Sequence, residues 1–103
     1  MTNILEKIIQ DKKETLNLFK KNNSLNSLEK KIKELNFFYN FKEKIKENKG
    51  VSLISEIKKA SPSAGVLVKN FDHLEIAKMF IENGATCLSV LTEEKSFFGK
   101  LEY

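Results

Sequence analysis

The chain has 103 residues, 41% of them hydrophobic, and a formal net charge of +4. That length suits one small domain and falls well short of the roughly 250 residues of a complete (β/α)8 barrel. All 18 basic residues are lysine, so no guanidinium fork exists, and an anion site here must use lysine point charges, backbone N–H groups or hydroxyls.

Residues 1–50 read as helix. Asn3 is a cap with Glu6 three residues on, and Leu5, Ile8, Ile9, Leu16 and Phe19 mark one face at helical spacing. Residues 20–27 are polar and read as a loop. Leu25, Leu28, Ile32 and Leu35 resume the helical period. The aromatic run Phe37, Phe38, Tyr39 and Phe41 reads as helix packing rather than a base-stacking platform, and Ile45 completes a last short helix. Asn48-Lys49-Gly50 ends it, with Gly50 free to take a positive φ. This half holds 12 lysines against seven acids. The acids lie among the lysines, as on a solvated helical face.

At Val51 the pattern changes. Residues 51–57 are a short β-prone run and predict a strand; residues 59–69, with Pro62, Gly65 and two serines, predict a loop. Asp72 with Glu75 three residues later predicts a helix start. Ile76, Ala77, Phe80 and Ile81 would give that helix a buried stripe, and Gly84 would stop it. Residues 86–91 predict a second strand, on which Cys87 packs as a small apolar residue. Residues 92–99 read as another loop, and residues 101–103 as the opening of a helix. Strand, helix, strand within this distance is a βαβ unit with parallel, neighbouring strands. Two strands do not make an independently stable sheet. The isolated chain is therefore expected to be partly unfolded or to associate through its strand edges.

One cysteine cannot form an internal disulfide, which suits a reducing cytoplasm. No stretch approaches the roughly 18 apolar residues of a membrane span, and the N-terminus lacks the apolar region of a signal peptide. The expectation is a soluble cytoplasmic protein with no membrane partner.

Glu56 and Lys58 are the first candidates for chemistry. Residues two apart on a strand share a face, so a carboxylate and an ammonium should stand side by side above Ile54 at the strand's C-terminal end. They are either a pair that orients a charged substrate or a plain salt bridge on a frayed strand end. Ser61-Pro62-Ser63 follows. Pro62 stiffens the backbone, and the flanking hydroxyls beside Lys58 and Lys59 can hold a carboxylate or phosphate, or simply make a turn. His73, the only histidine, reads as a surface residue.

Residues 55–63, Ser-Glu-Ile-Lys-Lys-Ala-Ser-Pro-Ser, resemble the signature Glu-x-Lys-x-x-Ser-Pro-Ser of indole-3-glycerol phosphate synthases. The resemblance continues through Phe71-Asp72, Ile76-Ala77, Gly84-Ala85, residues 88–93 and Phe97-Phe98-Gly99. Residues 3–15 resemble the family's N-terminal helix, and the match is weakest over residues 20–40. The resemblance implies an α/β fold: the N-terminal part of a (β/α)8 TIM barrel, with residues 1–50 as a helical extension and residues 51–103 as the first βαβ unit of an incomplete barrel.

It also implies an activity. The family closes an indole ring on 1-(2-carboxyphenylamino)-1-deoxyribulose 5-phosphate, losing carbon dioxide and water, in tryptophan biosynthesis. It uses no metal and no organic cofactor, and its partner is that small phosphorylated substrate rather than nucleic acid. By resemblance Glu56 and Lys58 are catalytic-site residues that orient the substrate within a charge network. Ser61, with Pro62 beside it, binds substrate near the anthranilate carboxylate. Phe97 lines the apolar part of the pocket, and the N-terminal helices cover the catalytic mouth. The family's third-strand lysine, fourth-strand glutamate and late phosphate-binding loops have no counterpart in these residues, so the missing strands must come from a longer product or a partner chain. The chain alone is expected to be inactive. It departs from the family pattern at Ala64, where lysine is frequent, at Lys100, where serine is common, and at His73, where proline is usual. Two alternatives remain: a lysine-rich helical module binding an acidic partner or nucleic acid, and another barrel enzyme such as phosphoribosylanthranilate isomerase. The Glu-x-Lys-x-x-Ser-Pro-Ser run argues against the second.

Overall fold

The computed structural model describes residues 3–103. Two compact units divide the chain, Met1–Tyr39 and Asn40–Tyr103.

The first unit is helical. Helix α1 (Ile4–Asn22) begins with the capping box that the sequence predicts: the Asn3 side chain accepts from the Glu6 N–H at 2.9 Å, and the Glu6 carboxylate accepts from the Asn3 N–H at 3.3 Å. Lys20 and Lys21 lie in its last turn, where positive charge suits the helix dipole. The loop expected over residues 20–27 shrinks to Asn23 and Ser24. Lysine is a good helix former, and Ser24 starts helix α2 (Leu25–Lys33) by accepting from the Ser27 N–H at 3.1 Å. Phe37, Phe38 and Tyr39 are not helical, against expectation. Phe37 and Tyr39 meet edge to face at 4.8 Å, and Tyr39 is 86% exposed. Consecutive aromatic side chains lose χ1 freedom against a preceding helical turn, and Asn40 caps the next helix instead of continuing the last. No described residue of α1 or α2 is buried.

The second unit holds the parallel βαβ arrangement. Helix α3 (Phe41–Glu47) is capped by Asn40 and packs against strand β4 (Cys87–Val90). Gly50 takes a φ of 106°, as expected. Strand β1 (Ile54–Ile57) is shorter than the run 51–57. It pairs in parallel with β4, Ile54 opposite Cys87 through Ile57 opposite Val90. Below the strands, the Leu53 carbonyl accepts from the Thr86 N–H at 2.9 Å, while the Thr86 hydroxyl accepts from the Leu53 N–H at 3.1 Å. Above them, the Leu91 N–H donates to the Ile57 carbonyl at 3.0 Å. This sheet has two strands among the described residues, so the outer edge of each is unpaired.

Residues 59–69 are not a plain loop. Strands β2 (Ala60–Ser61) and β3 (Gly65–Val66) pair antiparallel, and the Leu67 N–H closes the segment onto the Lys59 carbonyl at 2.8 Å. Pro62 sits at the start of the turn, where its fixed φ is useful, and Gly65 supplies a φ of 68°. Helix α4 (His73–Glu82) starts at Asp72, whose carboxylate accepts from the Leu74 and Glu75 N–H groups at 3.0 and 3.1 Å. It ends in a Schellman motif, with Gly84 at a φ of 98° and the Ala85 N–H on the Phe80 carbonyl at 2.9 Å. The helix packs on β1. Ile76, Ala77 and Phe80 are half-buried, but Ile81 is exposed, so the expected stripe is narrower than the sequence indicates.

The expected loop 92–99 contains helix α5 (Glu94–Phe97), capped by the Glu93 carboxylate, which accepts from the Lys95 and Ser96 N–H groups at 3.2 and 2.6 Å. Residues 101–103 form a turn rather than a helix start. Tyr103 stacks on His73 with ring centroids 4.5 Å apart, and meets Phe71 at 5.3 Å. The core is small: Ile57 at 2% exposure, Ala60 at 1%, and Cys87. It is shared among β1, the hairpin and β4. No described helix is long and apolar enough to cross a membrane.

Candidate functional site

The β1 alternation decides where the charged pair stands. Ile57 is buried, whereas Ile54 and Glu56 are exposed on the opposite face. The next residue on the Glu56 face is Lys58, just beyond the strand. Its Nζ lies 3.3 Å from Glu56 Oε2, with the two side chains 30% and 48% exposed. The spacing in the sequence therefore becomes a contact in the structure. An ion pair this open is screened and contributes at most about 1 kcal/mol to stability. Its groups remain accessible to a ligand, and one carboxylate beside one ammonium can orient a substrate carrying both donors and a negative charge.

The hairpin follows directly. Ser61 is half-buried, and its Oγ accepts from the Ala64 N–H at 3.2 Å, so the hydroxyl is tied into its own turn rather than to Lys58 or Lys59. Pro62 is exposed at the turn. Phe97 is half-buried on α5, and α5 packs against β2. The helix carrying Phe97 thus lies beside the hairpin carrying Ser61. Glu56, Lys58, Ser61, Pro62 and Phe97 all belong to the segments that leave the C-terminal ends of the two parallel strands. That end is where loops build sites in parallel α/β folds.

Two supporting residues escape sequence reasoning. Glu93 looks like a free carboxylate after a strand, but it caps α5 and so holds the turn that presents Phe97. Acidic Glu93 followed by Glu94-Lys-Ser is a weak capping signal that a longer helix would have made plain. Gly99 carries no local signal. A Cβ there would collide with the Leu91 carbonyl oxygen and lie 2.8 Å from two Thr92 backbone atoms. Only glycine lets the chain return so close to the end of β4.

His73 has a structural partner in Tyr103. Among the described residues no group of three or more His, Cys, Asp or Glu side chains has the arrangement of a metal site. A shallow concavity along α1, lined by Asn3, Ile4, Lys7, Gln10 and Asp11, contains none of the candidate residues.

Comparison with known proteins reaches the same segments. The family model for indole-3-glycerol phosphate synthase matches residues 5–103. The chain is 46% identical to the indole-3-glycerol phosphate synthase of Desulforamulus reducens, over 97% of this chain and 38% of that protein. It is 43% identical to that of Legionella pneumophila strain Lens, over 100% of this chain and 39% of the relative. With the Aliarcobacter butzleri protein of the same name it shares 43% identity, over 97% and 39%. The chain thus spans 38–39% of the length of these relatives.

Proposed function

The chain belongs to the indole-3-glycerol phosphate synthase family, and on that premise we propose that it supplies the first wall of that enzyme's active site. The reaction is closure of the indole ring on 1-(2-carboxyphenylamino)-1-deoxyribulose 5-phosphate, with loss of carbon dioxide and water. In this reading residues 1–50 are the helical extension and residues 51–103 the first βαβ unit of a (β/α)8 barrel. The remaining strands, with the principal acid and the phosphate site, come from sequence outside these residues. The chain on its own does not turn over the substrate. The family chemistry needs no metal or organic cofactor, and the single thiol suits the cytoplasm.

The observation that carries the reading is the Glu56–Lys58 contact at the end of β1, directly before the hairpin. Ring closure onto a carbonyl carbon needs a proton donor, and dehydration then needs a base. Both require the reacting atoms to be held in register, which is the part assigned to Glu56 and Lys58. Ser61 and Pro62 flank the substrate carboxylate, and Phe97 offers an apolar surface to the aromatic ring. The lysine-rich helices are better read as a solvated face than as a binding module. On α3, Lys44 and Lys46 already lie 3.8 and 3.9 Å from Glu47 and Glu43.

The test joins the whole chain to the downstream part of the Desulforamulus reducens relative and measures turnover of the substrate. A folded, active hybrid is expected. Glu56→Gln and Lys58→Ala should each lower kcat/KM by at least about tenfold while shifting the melting temperature by no more than a few degrees, as for an exposed pair. Matched losses of turnover and stability return the pair to a plain salt bridge.

A further inference from the structure

Three half-buried rings meet away from the charged pair. Tyr103 stacks on His73 at 4.5 Å with 27° between the planes, and meets Phe71 at 5.3 Å. The rings join segments that are distant in sequence. Phe71 and His73 end the stretch that leaves β1 through the hairpin of Ser61 and Pro62. Tyr103 lies beyond Phe97 in the stretch that leaves β4 through α5. The two stretches also touch where α5 packs on β2. Neither has much slack between its two points of contact. The Leu67 and Val68 N–H groups both donate to the Lys59 carbonyl, at 2.8 and 3.3 Å. The Gly99 N–H donates to the Glu93 carbonyl at 2.8 Å, and the Tyr103 N–H to the Lys100 carbonyl at 3.3 Å. His73 opens α4, which itself packs on β1, so the stack ties the stretch after β4 back to the sheet.

We propose that Phe71, His73 and Tyr103 form a clasp that fixes the spacing between the hairpin and α5, with His73 and Tyr103 as positioning residues for the substrate's carboxyphenyl group. This rests on the reading of Ser61, Pro62 and Phe97 as substrate-binding residues. One point of contact lets two segments pivot; a second, at their far ends, removes the pivot. The need comes from the substrate. Its carboxylate, held by the hairpin, is bonded directly to the ring that lies on Phe97. The distance between the two holds therefore cannot vary, and an error of about 1 Å is costly. Stacked rings suit the task, because each buries a large flat face and an aromatic pair is worth more than the area it covers.

The test uses the hybrid enzyme described above, well below its melting temperature, with two ligands. One is the substrate. The other is 1-phenylamino-1-deoxyribulose 5-phosphate, which lacks the carboxylate and is read as a competitive inhibitor. Tyr103→Leu keeps an apolar side chain but removes the stacking face, and should raise KM roughly fivefold, the scale of one aromatic pair. Its kcat, and its inhibition constant for the carboxylate-free analogue, should each stay within about twofold of the unsubstituted hybrid, because only the two-point hold is lost. Tyr103→Phe keeps the ring and should retain the original KM. His73→Ala should also raise KM, but by no more than about twofold once Tyr103 is leucine, since the two rings act together. A folded Tyr103→Leu hybrid with unchanged KM overturns the clasp and leaves Ser61 and Phe97 in place. Equal weakening of both ligands, or a Tyr103→Phe variant as impaired as the leucine one, also overturns it. Should Tyr103→Leu not fold, His73→Ala gives the same comparison of the two ligands and decides the matter. A folded hybrid without turnover removes the proposed function itself, and the clasp with it.

Discussion

The two units of this chain are held by different kinds of interaction. In the helical unit the bonds are local: the box between Asn3 and Glu6, the cap from Ser24 to Ser27, and the helical ladder between them. Its apolar residues Leu5, Ile9, Leu16 and Ile32 are exposed. In the second unit the defining bonds join residues far apart in sequence, such as Leu53 with Thr86 and Ile57 with Leu91. The small core of Ile57, Ala60 and Cys87 lies there too. Local bonds can form a helix without a core, but short isolated helices are marginal in water. A parallel pair needs its crossover helix and its packing together. The candidate chemistry sits on the second kind of scaffold.

That contrast can be broken by substitution. The largest effect is expected from Ile57→Ala, which removes the most buried large side chain of the β unit and should cost about 2–5 kcal/mol. Hydrogen exchange should then lose protection across Ile54–Ile57 and Cys87–Val90 while α1 keeps its own. Equal loss in both units would show that they fold as one. Gly99→Ala comes next, at about 1–3 kcal/mol, because its Cβ meets backbone that cannot rotate away. Chemical shifts of Leu91 and Thr92 should move most; an undisturbed β4 end would refute the close approach. Asn3→Ala should cost about 1 kcal/mol and appear as fraying of the first turn of α1, with the β1–β4 amides unaffected. Leu16→Gln marks the small end of the scale. An exposed position predicts a change within about 0.5 kcal/mol, and a loss several times larger would mean that this face is covered in solution.

Legibility followed the same division. The caps at Asn3 and Asp72 and the glycine stops at Gly50 and Gly84 could be read from the residues, because each acts within one turn of its own position. Ser24 reads as part of a polar loop, since the lysines before it favour helix no less than solvent. The β2–β3 hairpin has no signature in the sequence because two-residue strands carry no periodicity, and α5 has none because four residues make barely one turn. The Glu56–Lys58 contact was legible from the period-2 rule alone. The stacking of Tyr103 on His73 and the nearness of α5 to the hairpin were not, as each joins segments separated by a strand or a helix.

The amino-acid sequence by itself determined the order of helix, strand, helix and strand, the caps that begin α1 and α4, and the face shared by Glu56 and Lys58. These depend on neighbours three or four residues away at most. Tertiary structure alone decided that Gly99 must be glycine, that α5 lies beside the β2–β3 hairpin, and that Ser89 stands level with Glu56. Each depends on the register and close approach of two backbones, which only the packed chain brings together.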